Sequence, residues 1–159
     1  MKPATLVILV KDQPVKEILL GYKKVGFGQG NYAGFGGKIE PGETADQAAV
    51  RELAEETGIE VPVSVLELAA ILEFRFPHKF ENEHRVHTYL CRTWHGDPQE
   101  SDEMIPQWFA VAQIPYEKMW DDAQYWLPKI LAGERFEARF IFGADNARVS
   151  EVKYSQLTA

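Results

Sequence analysis

Gly37-Lys-Ile-Glu-Pro-Gly-Glu43 and, after seven further residues, Arg51-Glu52-Leu53-Ala54-Glu55-Glu56-Thr57-Gly58-Ile59 decide how this chain is read. Pro41-Gly42 marks a turn. Thr44 can cap a following helix, with Gln47 three residues on completing a capping box. The helix is predicted from Ala45 to about Thr57, with Gly58 as its C-terminal stop. On that helix Glu52, Glu55 and Glu56 are three and four apart and share one face. Ala49, Val50, Leu53 and Ala54 form an adjoining face that can pack on a sheet. Like charges at these spacings repel by roughly 0.2–0.5 kcal/mol per pair on an exposed helix. Three glutamates taken alone read as a solvated acidic face. The alternative is that something offsets the repulsion, and a hard divalent cation, which prefers carboxylate oxygens and sits between them and substrate phosphates, would do so.

Working outward, Thr5 to Val10 and Glu17 to Lys24 are predicted as a strand pair joined by the turn Lys11-Asp12-Gln13-Pro14. A glycine-rich loop, Gly26-Phe27-Gly28-Gln29-Gly30, leads to a short strand from Asn31 to Gly36. Phe27 in that loop should be more exposed than a core phenylalanine. Beyond the helix, Val61 to Phe76 and Glu83 to Trp94 read as two long strands joined at His78 to Asn82, and Ile105 to Val111 as another short one. Pro115 to Ala132 carries apolar residues at helical spacing, with Pro128 expected at a break or in a first turn. Arg135 to Phe142 and Ala147 to Tyr154 read as a closing hairpin around Gly143 to Asn146. The expected result is one α+β domain over residues 1–159 with two main helices.

Composition narrows the function. The 159 residues are 45% hydrophobic and 26% charged, a globular balance. With 24 acids against 17 bases the formal charge is −7, which excludes duplex nucleic acid and an anionic membrane surface as expected partners. It leaves room for a small anion held through a metal. A single cysteine, Cys91, allows no internal disulfide, and with no signal-peptide layout a reducing, cytoplasmic setting and a monomer are expected. His84 and His87 lie three apart in a predicted strand and point to opposite faces, so the histidines are assigned to surface or hairpin roles. Lys38 is followed by Ile39, so the glycine-rich stretch is not a nucleotide-binding P-loop.

The pattern Gly, five residues, Glu, seven residues, Arg-Glu-apolar-x-Glu-Glu-x-Gly-apolar is filled at every defined position from Gly37 to Ile59. In this it resembles the Nudix hydrolases. The resemblance implies an α/β/α sandwich with a mixed β-sheet between helices. It also implies Mg2+-dependent hydrolysis of a nucleoside diphosphate linked to another group, with Mn2+ as a substitute. It assigns the catalytic and metal roles to Glu52, Glu55 and Glu56, joined by the carbonyl of Gly36, with Arg51 and Glu43 supporting the loop–helix unit. Which glutamate takes the proton of the attacking water stays open.

Beyond that motif, Gly21 to Lys38, Glu100 to Met104, Trp108-Phe109, Ile114-Pro115, Met119-Trp120 and Tyr125-Trp126 are similar to the MutT-like branch of the family that acts on oxidised purine nucleoside triphosphates. This narrower resemblance implies that Thr5, Lys23, Phe27, Phe74 and Trp120 surround the base and sugar of a small nucleotide. It also implies that Phe35, Gly36, Gly37 and Lys38 pass beside the substrate, and that Glu103 is an additional acid near the metal. Two departures stand out. That branch has a base-binding asparagine where this chain has Ala33, with Asn31 two residues away. It also has a pair of base-reading aspartates, of which Asp122 matches one and Ala123 replaces the other, unless a small shift lets Asp121 and Asp122 serve together. Altered selectivity for the oxidised base is expected. Other readings are hydrolysis of ADP-ribose, a dinucleoside polyphosphate or an RNA 5′-triphosphate, and a nucleotide-binding module without catalysis.

Overall fold

A computed structural model describes residues 1–158. Its strands are β1 (Lys2–Lys11), β2 (Glu17–Lys23), β3 (Tyr32–Ala33), β4 (Phe35–Lys38), β5 (Leu66–Arg75), β6 (His84–Cys91), β7 (Met104–Ala110), β8 (Phe136–Phe142) and β9 (Val149–Gln156). Two α-helices, α1 (Ala45–Thr57) and α2 (Ala123–Leu131), flank them. β1 is the axis of the sheet. Along one edge it runs parallel to β6, from Lys2 opposite His84 to Leu9 opposite Cys91. From there the sheet continues through β5 and β8 to β9, with β5 and β8 parallel and the other pairs antiparallel.

The other edge of β1 is divided. Ala4 to Val7 pair with β4, whereas Val10 and Lys11 pair with β2. β2 then leaves β1 and pairs with β3 and along its length with β7. The sheet therefore forks, and the fork is where the functional residues collect.

Side-chain alternation along β1 explains why its aliphatic run is unbroken. Val7 and Leu9 enter the core beneath α1, and Ile8 and Val10 enter the core beneath α2. A strand covered on both faces has no polar side. Each such side chain contributes about 1.5–3 kcal/mol by leaving water. On α1, Ala49 and Leu53 face the sheet as expected from their spacing, joined by Ala48 and Thr57. On α2, Ala123, Trp126, Leu127 and Ile130 do the same from the opposite side. The molecule is thus a mixed sheet between helices. No helix among the described residues is long and apolar enough to cross a membrane.

Three expected elements are reshaped. The run from Asn31 to Gly36 splits into β3 and β4 at Gly34, where a Cβ would lie 3.0 Å from the carbonyl oxygen of Val7. The strand expected from Val61 starts only at Leu66, because Pro62 opens a 3-10 turn over Val63–Val65. The helical pattern from Pro115 is a 3-10 turn at Tyr116–Lys118, an extended Met119, and only then α2. The break therefore falls before Trp120, and Pro128 lies inside α2, on its exposed side.

The capping box of α1 forms as its residues suggest. The Gln47 N–H donates to Thr44 Oγ1, and the Thr44 N–H donates to Gln47 Oε1. Gly58 takes the left-handed conformation, φ 76°, that ends the helix. Thr44→Ala removes one half of the box and is expected to cost about 1 kcal/mol. In a thermal melt followed by circular dichroism this should lower Tm by roughly 2–4 °C.

Candidate active site

One side of the fork is an acidic cleft. Lys23, Gly36, Gly37, Lys38, Glu40, Glu52, Glu55, Glu56, Ser101, Asp102 and Glu103 line it. Two glycines let helix and sheet meet there. A Cβ on Gly36 would sit 1.9 Å from the carbonyl oxygen of Thr5, so only glycine lets β4 lie this close to β1. A Cβ on Gly37 would sit 2.6 Å from Glu52 Oε1, so the bare backbone makes room for that carboxylate.

Arg51 organises the acids. Its Nε and Nη2 donate to the two oxygens of Glu43 at 2.7 and 2.9 Å. Nη2 also donates to the carbonyl of Lys38, and Nη1 to Glu52 and Glu55 at 2.9 and 3.3 Å. The guanidinium is thereby held well above its ordinary pKa, chiefly by Glu43. The same contact, with the Glu40 N–H, pulls Glu43 down to about 2. These contacts occupy the guanidinium and tie the loop, Glu52 and Glu55 together.

Glu56 is 6% exposed and accepts the Gly36 N–H at 2.8 Å. Burial, then the neighbouring charge of Glu52, pushes its pKa up to about 8. Burial also raises Glu52. Glu55 and Glu103 are exposed, and Lys23 Nζ lies 3.8 Å from Glu103. The expected ligands thus share one cleft but do not converge into a finished coordination sphere. Among the described residues no three acidic, histidine or cysteine side chains do. The donor set is all oxygen, and burial raises the pKa of both Glu52 and Glu56. Both properties suit a hard divalent cation.

The cleft opens into a cavity of about 260 Å³ through Lys23, Gly36, Gly37 and Glu56, which line both. Thr5, Phe27, Phe74, Trp120 and Asp122 line this cavity as well, so the structure brings together most of the residues expected around a base. Phe27 is 72% exposed and stacks on Trp120 with ring centroids 5.2 Å apart. Phe74 packs against Phe140 and His84 behind it. Asn31 and Ala33, two apart on an extended segment, both face the cavity. Asp122 is 6% exposed and accepts the Trp126 indole N–H at 2.8 Å; burial raises its pKa to about 6.

Other expected residues lie elsewhere. Phe35 is fully buried beneath α1, so its side chain belongs to the core and not to the substrate path. Lys38 borders only the acidic cleft. Asp121 does not reach the cavity: it accepts the Val149 N–H at 2.8 Å and the Gln124 amide at 2.9 Å, and borders the outer side of Trp120. Asp121 and Asp122 therefore do not act as a pair on one ligand, because consecutive residues at a helix start diverge. His84 and His87 lie on β6, His84 directly after the connection from β5. Both are half-buried, and burial lowers both pKa values. Sequence reading missed Met104, Met119 and Trp126 in the cavity wall. Only Trp126 carried a signal, since it stands one helical turn beyond Asp122.

A forked mixed sheet between helices, with a glutamate helix facing a glycine-lined strand, is the architecture of one class of phosphate-handling domain. The chain matches the NUDIX domain over residues 1–130 and belongs to the Nudix family. It is 45% identical over 141 residues to the oxidized purine nucleoside triphosphate hydrolase of Danio rerio, spanning 89% of this chain and 86% of that one. The Mus musculus protein of the same name is 42% identical over 138 residues, spanning 87% and 85%. The fold is shared with the MutT protein of Bacillus halodurans, with a TM-score of 0.81 at 23% identity over 97% of each chain.

Asp122 provides a test of the cavity's interior. It titrates near 6 in the fold against 3.8 for the free side chain. Below the lower value both folded and unfolded chains hold the proton. Between the two values the unfolded chain releases its proton first, so stability falls as pH rises and levels off above about 6. The loss is roughly 3 kcal/mol. Asp122→Asn keeps an acceptor for Trp126 and has no proton to lose. Relative to the native chain it should gain about 2 kcal/mol between pH 4 and pH 7, measured by urea unfolding.

Proposed function

We propose that this chain hydrolyses purine nucleoside triphosphates, oxidised ones included, to the monophosphate and pyrophosphate, and so clears damaged nucleotides from the precursor pool. The observation that carries this reading is the continuity of an aromatic cavity with an acidic cleft across Lys23, Gly36, Gly37 and Glu56. A base stacked beside Trp120 and Phe74 would leave its phosphates lying toward the glutamates. The names of the zebrafish and mouse relatives support the same substrate class.

Glu52, Glu55 and Glu56 would hold Mg2+, with Mn2+ able to replace it, and Glu103 stands across the cleft as a further acid. When bound, the cation neutralises phosphate charge and lowers the pKa of water. The chain's own part is positioning. Arg51 fixes Glu52 and Glu55 relative to the loop, and the Gly36 N–H fixes one oxygen of Glu56. Lys23 reaches both cavity and cleft and can pair with a phosphate once it leaves Glu103. Water adds to phosphorus, one P–O–P bridge breaks, and the water's proton passes to a carboxylate.

Glu56→Gln retains an acceptor for the Gly36 N–H but loses its charge and basicity. With Mg2+ and a panel of normal, 8-oxo and 2-hydroxy purine triphosphates, it should lower kcat by about 10²–10⁴. Chelation of the metal should abolish turnover of the native chain. Pyrophosphate released from none of these substrates, or unchanged Glu56→Gln activity, would contradict the proposal. Ala33→Asn adds an amide to the cavity wall. It should raise the kcat/KM preference for 8-oxo-dGTP over dGTP by roughly tenfold, the worth of one buried hydrogen bond.

A further inference from the structure

A second cavity lies at the far end of the first. It measures about 310 Å³ and shares Phe27, Phe74, Trp120 and Asp122 with the base cavity. It shares nothing with the acidic cleft, which meets the base cavity at Lys23, Gly36, Gly37 and Glu56. The three spaces therefore run in line: acidic cleft, base cavity, annex. The annex is walled by Phe76 and Phe142, stacked with centroids 4.5 Å apart and planes 12° from parallel. Lys79, Asn82, Asp145 and Asn146 form its rim. Asn146 Oδ1 is buried there without a hydrogen-bond partner. Phe27 is the yielding part of the wall between the two cavities, being mostly exposed and placed between Gly26 and Gly28, whose φ values are +78° and +87°.

Resting on the substrate orientation proposed above, we infer that the annex is a subsite for a bulky aromatic substituent on the six-membered ring of the purine. The linear order decides which edge is meant. With phosphates in the cleft and the sugar next, the purine edge farthest from the glycosidic bond faces Asp122 and the annex. A ring attached at N6 enters a space with aromatic walls, and burial of its faces there is favourable. The chain would thus accept purine nucleotides with large N6 adducts as well as small oxidised ones.

The test compares dAMP with N6-benzyl-dAMP by calorimetry in the presence of Mg2+, and dATP with N6-benzyl-dATP by pyrophosphate release. The native chain should bind the benzylated monophosphate roughly tenfold more tightly than dAMP. Asn82→Trp fills the annex from its rim, and the Asn82 side chain touches neither base cavity nor cleft. It should remove that gain and leave dAMP binding unchanged, with circular dichroism verifying the fold. Equal or weaker binding of the benzylated nucleotide by the native chain overturns the inference, as does a gain that persists in Asn82→Trp. Failure of both triphosphates to release pyrophosphate strikes the proposed activity instead, and leaves the binding comparison decisive for the annex.

Discussion

The clamp of Arg51 on Glu43 is the interaction on which the rest of the site depends. Arg51 is the one cation of α1, and it is set among acids that would otherwise repel. Its bidentate contact with Glu43 ties the helix to the loop before it, and its bond to the Lys38 carbonyl ties both to the end of β4. A planar fork that matches a carboxylate in two places fixes orientation as well as distance. Loop, strand and helix thus become one unit, and Glu52 and Glu56 are presented to Gly36 and Gly37 as a consequence. A lysine here would keep the charge and lose the alignment.

The divided edge of β1 does the corresponding work for the other half of the site. Had β2 paired along the whole of β1, no fork would form and β4 would have no edge to join. Because β4 takes Ala4 to Val7 and β2 only Val10 and Lys11, the strands diverge and leave a cavity between them. Gly36 is the residue that makes this compatible with packing, since any side chain there would strike the Thr5 carbonyl. One constraint therefore brings an apolar cavity to the edge of an acidic cleft. The net charge of −7, unfavourable for a bare polyanion, is in part the charge of that cleft: seven acids stand between residues 40 and 60 against Arg51 alone.

The sequence was legible where local chemistry is self-sufficient. Thr44, Gln47 and Gly58 mark the ends of α1 through bonds to their own neighbours, so its limits could be read directly. The spacing of Glu52, Glu55 and Glu56 likewise needs no knowledge of the rest of the chain. Reading failed where a partner distant in sequence decides. Phe35 looked like part of the substrate path because of its neighbours Gly36 and Gly37. In a strand, though, the residue beside a site faces away from it, and Phe35 fills the core under α1. Asp121 looked able, after a small shift, to serve as a pair with Asp122, but it accepts the Val149 N–H, 28 residues away. His84 read as a surface or hairpin residue of its strand, yet it stacks on Phe74 at 4.8 Å.

These displacements bear on how the cavity can discriminate. Its walls are mostly aromatic and aliphatic, and its polar groups are few. Thr5 Oγ1 is turned to the His87 carbonyl, Asp122 already accepts from Trp126, and no amide stands at residue 33. Asn31 is the remaining side chain on this wall with both donor and acceptor to offer. A site that reads a base through many buried hydrogen bonds rejects the wrong base strongly, since each mismatch strands a partner. A site that reads through stacking and shape rejects by fit alone, at about 1–3 kcal/mol for a group of methylene size. This chain leans toward the second design. The acidic cleft is a dense set of charges with little freedom, whereas the adjoining cavity is walled by aromatic surfaces that accommodate variation. Strict chemistry at one end and tolerance at the other is the division of labour expected of an enzyme whose substrates share a triphosphate and differ in how their bases are damaged.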